Sequence, residues 1–215
     1  MLILFYFLLL IFPSYQVEPS KIIIIYFSRP GENANVGNVE IGNTKMIVSY
    51  IKELYNDLSE FEIIPETQYP ESYDATVTIA RNQSNHEERP PLLQNLTDIS
   101  NYDTILLGYP IWFQRLPCVV KTQLDILKSQ FKGKKIYPFI THEGSGFGMS
   151  IDEIRVFAPN AIIKEGFSLR GTEARNETYH GNIENWLKDI NIIKTVKSSY
   201  IQSSKLLLLF ILLIL

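Results

Sequence analysis

KIIIIYFSRPGENANVGNVEIGNTK, the stretch from Lys21 to Lys45, decides how the rest of the chain is read. Its apolar run, closed by Ser28-Arg29-Pro30-Gly31, predicts a strand buried on both faces, as at the centre of a parallel sheet. Beyond a polar, glycine-bearing loop, Met46, Ile47, Tyr50, Ile51 and Leu54 recur at helical spacing. The helix is expected to begin at Thr44, with Asn43 or Thr44 as its cap. Strand, loop and helix N-terminus in that order form an anion site, because free N–H groups and the positive end of the helix dipole meet there. The lysine-bearing P-loop pattern and the G-x-G-x-x-G dinucleotide fingerprint are both missing from this stretch. What remains is a set of hydroxyls, amides and N–H groups suited to a monophosphate held without a metal. The same residue types also serve as simple caps at many such junctions.

At 215 residues and a formal net charge of -3, the chain is long enough for one well-buried domain. Nothing along it forms the basic patch that a nucleic-acid partner requires. Its single cysteine, Cys118, excludes an internal disulfide and argues against a cysteine metal site; in Leu116-Pro117-Cys118-Val119-Val120 it reads as a small buried apolar residue. Both ends, Met1 to Phe12 and Leu206 to Leu215, are wholly apolar yet shorter than the roughly 20 residues of a membrane span. The first fits a secretory h-region without a basic n-region. The second, after Ser203-Ser204-Lys205, resembles the removable tail of a lipid-anchor signal, with Ser198 and Ser199 as attachment candidates. Sequons at Asn82, Asn95 and Asn176 permit glycosylation and modestly favour a secretory route, and the hydrophobic ends allow membrane association; the alternative is that the ends are mere hydrophobic extensions. The expected division is a hydrophobic signal or anchor segment at 1–20, one domain at 21–195, and a polar spacer with a hydrophobic tail at 196–215.

Between the ends, strand-like runs alternate with helical patterns, the signature of a parallel α/β sheet. Further strands are expected at Phe61 to Ile64, Asp103 to Tyr109, Lys135 to Ile140 and Ala161 to Phe167. Helices are expected from Asp74 to Asn85 with Asp74 as cap, from Pro117 through Leu127, from Ser150 to Phe157, and from Ile183 to Ile193. Five strands with crossover helices make a three-layer sandwich.

In an open α/β sheet, ligands sit outside the carboxyl ends of the strands where the strand order reverses. If the first, third and fourth strands are neighbours, three loops meet there: Ser28 to Thr44, Pro110 to Pro117, and Thr141 to Gly148. The first offers anion contacts, the second Tyr109, Trp112 and Phe113, and the third glycines that let backbone approach a ligand closely. A flat aromatic ligand with one phosphate satisfies all three.

YFSR at Tyr26 to Arg29, GEN at Gly31 to Asn33, GNT at Gly42 to Thr44, YDTILLGYPIW at Tyr102 to Trp112 and PFITHEGSGFG at Pro138 to Gly148 together resemble the flavodoxin-like family, in a branch of short flavodoxins with a long first loop. The resemblance spans about Lys21 to Leu187. It implies strand order 2-1-3-4-5 and FMN at the switch point. It also implies that Ser28, Arg29, Asn43 and Thr44 line the FMN phosphate, with Gly42 allowing close approach. Pro110, Ile111 and Trp112 would shape the ring pocket. Thr141, His142, Gly144, Ser145, Gly146 and Phe147 would meet the ring's polar edge.

Redox partner proteins or NAD(P)H would exchange electrons with such a site, whose potential the protein sets through stacking, hydrogen bonds and nearby charge. Glu143 would disfavour a negatively charged reduced ring, or else point to solvent. Where the family commonly has Trp-Gly-Thr-Met-Pro, this chain reads Phe113-Gln114-Arg115-Leu116-Pro117, and the Cβ of Gln114 restricts a backbone turn that glycine permits. Arg115 would lie near the ring, meet a nicotinamide phosphate, or be solvated. His86 and His180 lack metal-ligand spacing, and Ser145 is not a G-x-S-x-G nucleophile because Glu143 stands two residues before it. An electron carrier and a small reductase are both compatible with these residues. The competing reading is a surface or luminal protein that keeps the fold and has lost the flavin.

Overall fold

Ile22 to Phe27 are all buried, which is what a strand covered on both faces requires. In this computed structural model, which describes residues 21–192, that run forms β1 (Ile22–Tyr26) at the heart of a parallel sheet. The elements follow as β2 (Gly31–Asn33), β3 (Gly37–Val39), α1 (Asn43–Leu54), β4 (Ser59–Glu62), α2 (Tyr73–Asn85), β5 (Thr104–Pro110) and α3 (Cys118–Leu127). Then come β6 (Lys135–His142), α4 (Ser150–Phe157), β7 (Ile162–Ile163), β8 (Phe167–Arg170) and α5 (His180–Asp189).

The main sheet runs β4-β1-β5-β6-β7, with β8 also on β6, and all its pairings are parallel. Leaving aside the β2–β3 hairpin, this is the expected order 2-1-3-4-5 of a flavodoxin-like three-layer sandwich. Ile23 and Ile25 of β1, and Phe27 just beyond it, join Ile105, Leu107, Tyr109, Ile136 and Ile140 in a core closed by Val119, Leu124 and Leu127 of α3 and Ile154 and Phe157 of α4. On the opposite face, α1 and α5 contact each other, and Trp186 of α5 packs on Phe139 of β6 and Phe167 of β8. Each large aliphatic side chain so buried stabilises the fold by about 1.5–3 kcal/mol.

Several boundaries differ from the sequence expectation. The expected fifth strand, Ala161 to Phe167, is two short strands. Ile163 pairs with Ile136 and Phe167 with Phe139, so three edge residues face only Tyr137 and Pro138. Pro138 has no N–H for the ladder, and a bulge forms opposite it. Helix α2 is capped by Ser72, whose hydroxyl accepts from Ala75 N, and not by Asp74. Helix α1 starts at Asn43 with Gly42 at the N-cap, and neither Asn43 nor Thr44 supplies the cap. The last helix spans His180–Asp189, earlier than Ile183 to Ile193. The apolar ends read as signal and anchor, and the attachment serines, lie outside the described residues. Among the described residues, no helix is long and apolar enough to cross a membrane.

Candidate functional site

At the carboxyl end of β1 the chain turns at Ser28, and the Ser28 hydroxyl oxygen accepts from the N–H of Lys45, 3.0 Å away. One of the unpaired N–H groups of α1 is thus satisfied from the strand side. A Cβ on Gly42 would collide with Ser28 Oγ and the Arg29 carbonyl, so only glycine lets the helix start come this close. The N–H groups of Asn43 and Thr44 have no acceptor among the described residues and sit at the positive end of α1. The hydroxyls of Thr44 and Thr141 lie 3.0 Å apart, both buried, and join the first loop to the end of β6.

Arg29, expected among the phosphate contacts, turns elsewhere. Its guanidinium donates to the carbonyls of Glu32 at 2.6 Å, Pro70 at 2.5 Å and Glu71 at 2.7 Å, pinning the β2–β3 hairpin to the loop before α2. Burial lowers its proton affinity and the charge of Glu32 opposes that. Between this hairpin and Gln68, Tyr69 and Glu71 lies a cavity of about 700 Å³ that opens on Phe27, Ser28 and Arg29. It is within the size range of small-molecule and cofactor sites.

The second loop leaves β5 at Pro110, which pairs with Thr141, and Ile111 N donates to the Thr141 carbonyl at 2.8 Å. Trp112 is half-buried and meets Phe27 and Tyr69 edge-on, at 5.4 and 5.0 Å between ring centres. Trp112 and Arg115 exchange both backbone hydrogen bonds around Phe113 (φ 52°) and Gln114 (φ 62°). That is a tight turn with two left-handed non-glycine residues, a geometry that usually selects Asn-Gly. The Gln114 carbonyl accepts from Met149 N at 2.7 Å, and Gly148 (φ 52°) has no room for a Cβ against the Gln114 backbone. Second and third loops are therefore locked together.

In the third loop, Gly144 (φ 116°) and Gly146 (φ 57°) take left-handed backbone, Ser145 is exposed, and the Phe147 carbonyl accepts from Ser150 Oγ at 2.6 Å. Gly144 N–H donates to His142 Nδ1 at 2.8 Å, so a neutral His142 carries its proton on Nε2. Burial, then the charge of Arg170, holds this imidazole below its ordinary pKa, against the pull of Glu143 and Glu173. Both Glu143 oxygens are engaged, one with Gly171 N at 3.1 Å and one with Asn35 Nδ2 at 3.0 Å. Its carboxylate thus ties the third loop to the hairpin of the first.

Beneath the second loop lies a charged group that sequence reasoning missed. Lys121, almost fully buried, places its Nζ 2.9 Å from Glu153 and 3.2 Å from Glu87. Arg115 reaches Glu87 at 3.0 Å and Glu153 at 3.5 Å, and Leu116 N donates to Glu153 at 2.7 Å. Arg115 is therefore a structural ion-pair residue. Burial pushes the Glu87 carboxyl up, but Lys121, Arg115 and Arg89 together hold it below the usual range. Cys118 is buried with its thiol pushed up, as expected of an unreactive packing residue. Away from the site, His86 is exposed and His180 stacks on Tyr50 at 3.6 Å. Among the described residues no three ligating side chains are grouped to hold a metal.

A model of the flavodoxin family matches residues 21–190. The chain belongs to the flavodoxin family. This flavodoxin is similar in structure to a protein from Bacteroides eggerthii assigned as a flavoprotein, with 25% identity, TM-score 0.58, and cover of 80% of this chain and 98% of that one. A counterpart from Bacteroides uniformis shares 24% identity at TM-score 0.57, covering 79% and 98%. A flavoprotein from Lactobacillus acidophilus, solved in complex with FMN, shares 21% identity at TM-score 0.56, covering 77% and 99%. No curated protein sequence matches this flavodoxin.

Proposed function

We propose that this flavodoxin binds FMN non-covalently and transfers electrons through it, between redox partner proteins or from NAD(P)H. The carrying observation is the convergence at one rim of the free N–H groups of Asn43 and Thr44, the Trp112 platform, and a third loop joined to both by the Thr44–Thr141 and Gln114–Met149 contacts. Family membership and the FMN complex of the Lactobacillus acidophilus protein support the same reading. The residues fit the group: a helix N-terminus with two unpaired donors suits a phosphate, and an aromatic-walled opening suits a flat ring.

When bound, the flavin supplies the redox chemistry. Asn43 and Thr44 hold the phosphate through their N–H groups, with the Ser28 and Thr44 hydroxyls beside them. Pro110, Ile111 and Trp112 set the wall of the ring pocket, Trp112 being fixed in orientation by Phe27 and Tyr69. Thr141, His142, Gly144, Ser145, Gly146 and Phe147 would meet the ring's polar edge, where His142 offers an Nε2–H donor. No observation favours the reading in which the flavin has been lost.

The test is to purify the full chain, add FMN, remove the excess and record the spectrum. A yellow preparation with about one FMN per chain is expected. Colourless protein that takes up no FMN contradicts the proposal. Assays with NADH and NADPH then separate a carrier from a reductase.

A further inference from the structure

A segment that the flavin site does not otherwise need crosses the start of α1. After β8, Gly171 packs so closely on Asn43 Nδ2 and Glu143 Oε1 that a Cβ there would overlap both. A short 3-10 turn, Glu173–Arg175, then delivers Arg175 to the first loop. Its guanidinium donates to Asn43 Oδ1 and to the Ile41 carbonyl, each at 2.9 Å. These bonds use one terminal nitrogen of the fork, and the other two have no partner among the described residues. Nor does any carboxylate lie within ion-pair distance of Arg175 there. The nearby acids are already committed, Glu173 to Arg170 N and Tyr179 and Glu143 to Gly171 N and Asn35.

From this juxtaposition we infer that Arg175 is a specificity-determining residue that selects the phosphorylated flavin, FMN, over riboflavin. The inference rests on the FMN reading given above. A cation without a carboxylate partner, anchored to the residue whose N–H begins α1, adds charge-assisted donors to a neutral cradle of N–H and hydroxyl groups. Its free donors match a dianionic phosphate and have nothing to recognise in the terminal hydroxyl of riboflavin. By bonding Asn43 Oδ1, Arg175 also orients the amide side chain beside that phosphate.

The experiment titrates FMN and riboflavin, followed by flavin fluorescence, into full-length wild type, R175Q and R175K, with thermal melts of each ligand-free protein. In R175Q, FMN affinity is expected to fall about tenfold or more, the weight of one charge-assisted contact, while riboflavin affinity changes less than about twofold. R175K, which keeps the charge and loses the fork, is expected to fall between wild type and R175Q for FMN. Equal weakening of both flavins overturns the inference and makes Arg175 a tether of the 171–175 segment. Unchanged FMN affinity in R175Q overturns it while leaving FMN binding intact, whereas wild type that binds neither flavin overturns the FMN reading itself. Should R175Q fail to fold, R175K decides: FMN binding equal to wild type overturns the inference, and a loss for FMN alone supports it.

Discussion

Removing one hydroxyl of the Thr44–Thr141 pair destabilises the protein more than removing both. The two oxygens are 3.0 Å apart, Thr44 is 1% exposed and Thr141 3%, and neither hydroxyl has another protein partner among the described residues. Thr44→Val or Thr141→Val preserves side-chain shape, so no cavity term arises. Each leaves one buried hydroxyl unpaired, at about 1–3 kcal/mol. The double variant strands nothing, and replacing both partners by apolar groups of the same shape is nearly neutral, within about 1 kcal/mol. The cycle should therefore return a coupling energy close to the two single losses combined, about 1–6 kcal/mol. Urea unfolding of ligand-free protein, followed by far-ultraviolet circular dichroism, measures all four stabilities. In melting temperature the single variants should fall by about 2–4 °C per kcal/mol, and the double variant should recover most of that. A double variant whose loss equals the sum of the singles would refute the pairing and the junction it makes between first and third loops.

Other consequences are open to direct measurement. Lys121→Met should destabilise by about 2–3 kcal/mol, below the 3–5 usual for breaking a buried pair because Arg115 remains beside Glu153 and the Glu87 side chain is 51% exposed; a thermal melt showing a loss under about 1 kcal/mol contradicts the burial argument. Gln114→Gly relieves a left-handed residue worth about 1–2 kcal/mol and adds unfolded-chain entropy worth somewhat less, so a net gain near 0.5 kcal/mol is expected in urea titration. For His142, folding lowers the pKa from 6.5, so the unfolded chain binds more protons just below that pH. The contribution is therefore whole above about pH 6.5 and lost as pH falls through the folded value; His142→Gln should flatten melting temperature against pH between 7.5 and 5, and an unchanged slope would assign that loss to other groups.

The layers were legible in the sequence because the strand runs are long, apolar and separated by helical periodicity; the strand order, and with it the convergence of the three loops, came from the resemblance to the flavodoxin-like family and not from the periodicity. Ile22 to Phe27, a short β-branched and aromatic apolar run closed by Ser28-Arg29-Pro30-Gly31, reads as a strand covered on both faces, and the structure buries all of it. What stayed hidden depends on contacts distant in sequence. Nothing near Arg29 shows that its guanidinium seeks carbonyls at 70 and 71, and nothing near Lys121 shows that Glu87 and Glu153 converge on it. The cap of α1 was misplaced because Ser28 acts across the whole first loop. Arg175 sits in a polar stretch without periodicity, where no local signal separates it from a solvated arginine. The split edge strand did have a signal, Pro138, but it lies in the neighbouring strand.

The most direct test of the central claim is amide-resolved nuclear magnetic resonance of the isotope-labelled protein during FMN titration. Saturating shifts should cluster at Asn43 and Thr44, at Ile111 to Gln114, and at His142 to Phe147, with the first group absent when riboflavin replaces FMN. Shifts confined to other surfaces, or no saturable shifts at these three loops, would contradict the account.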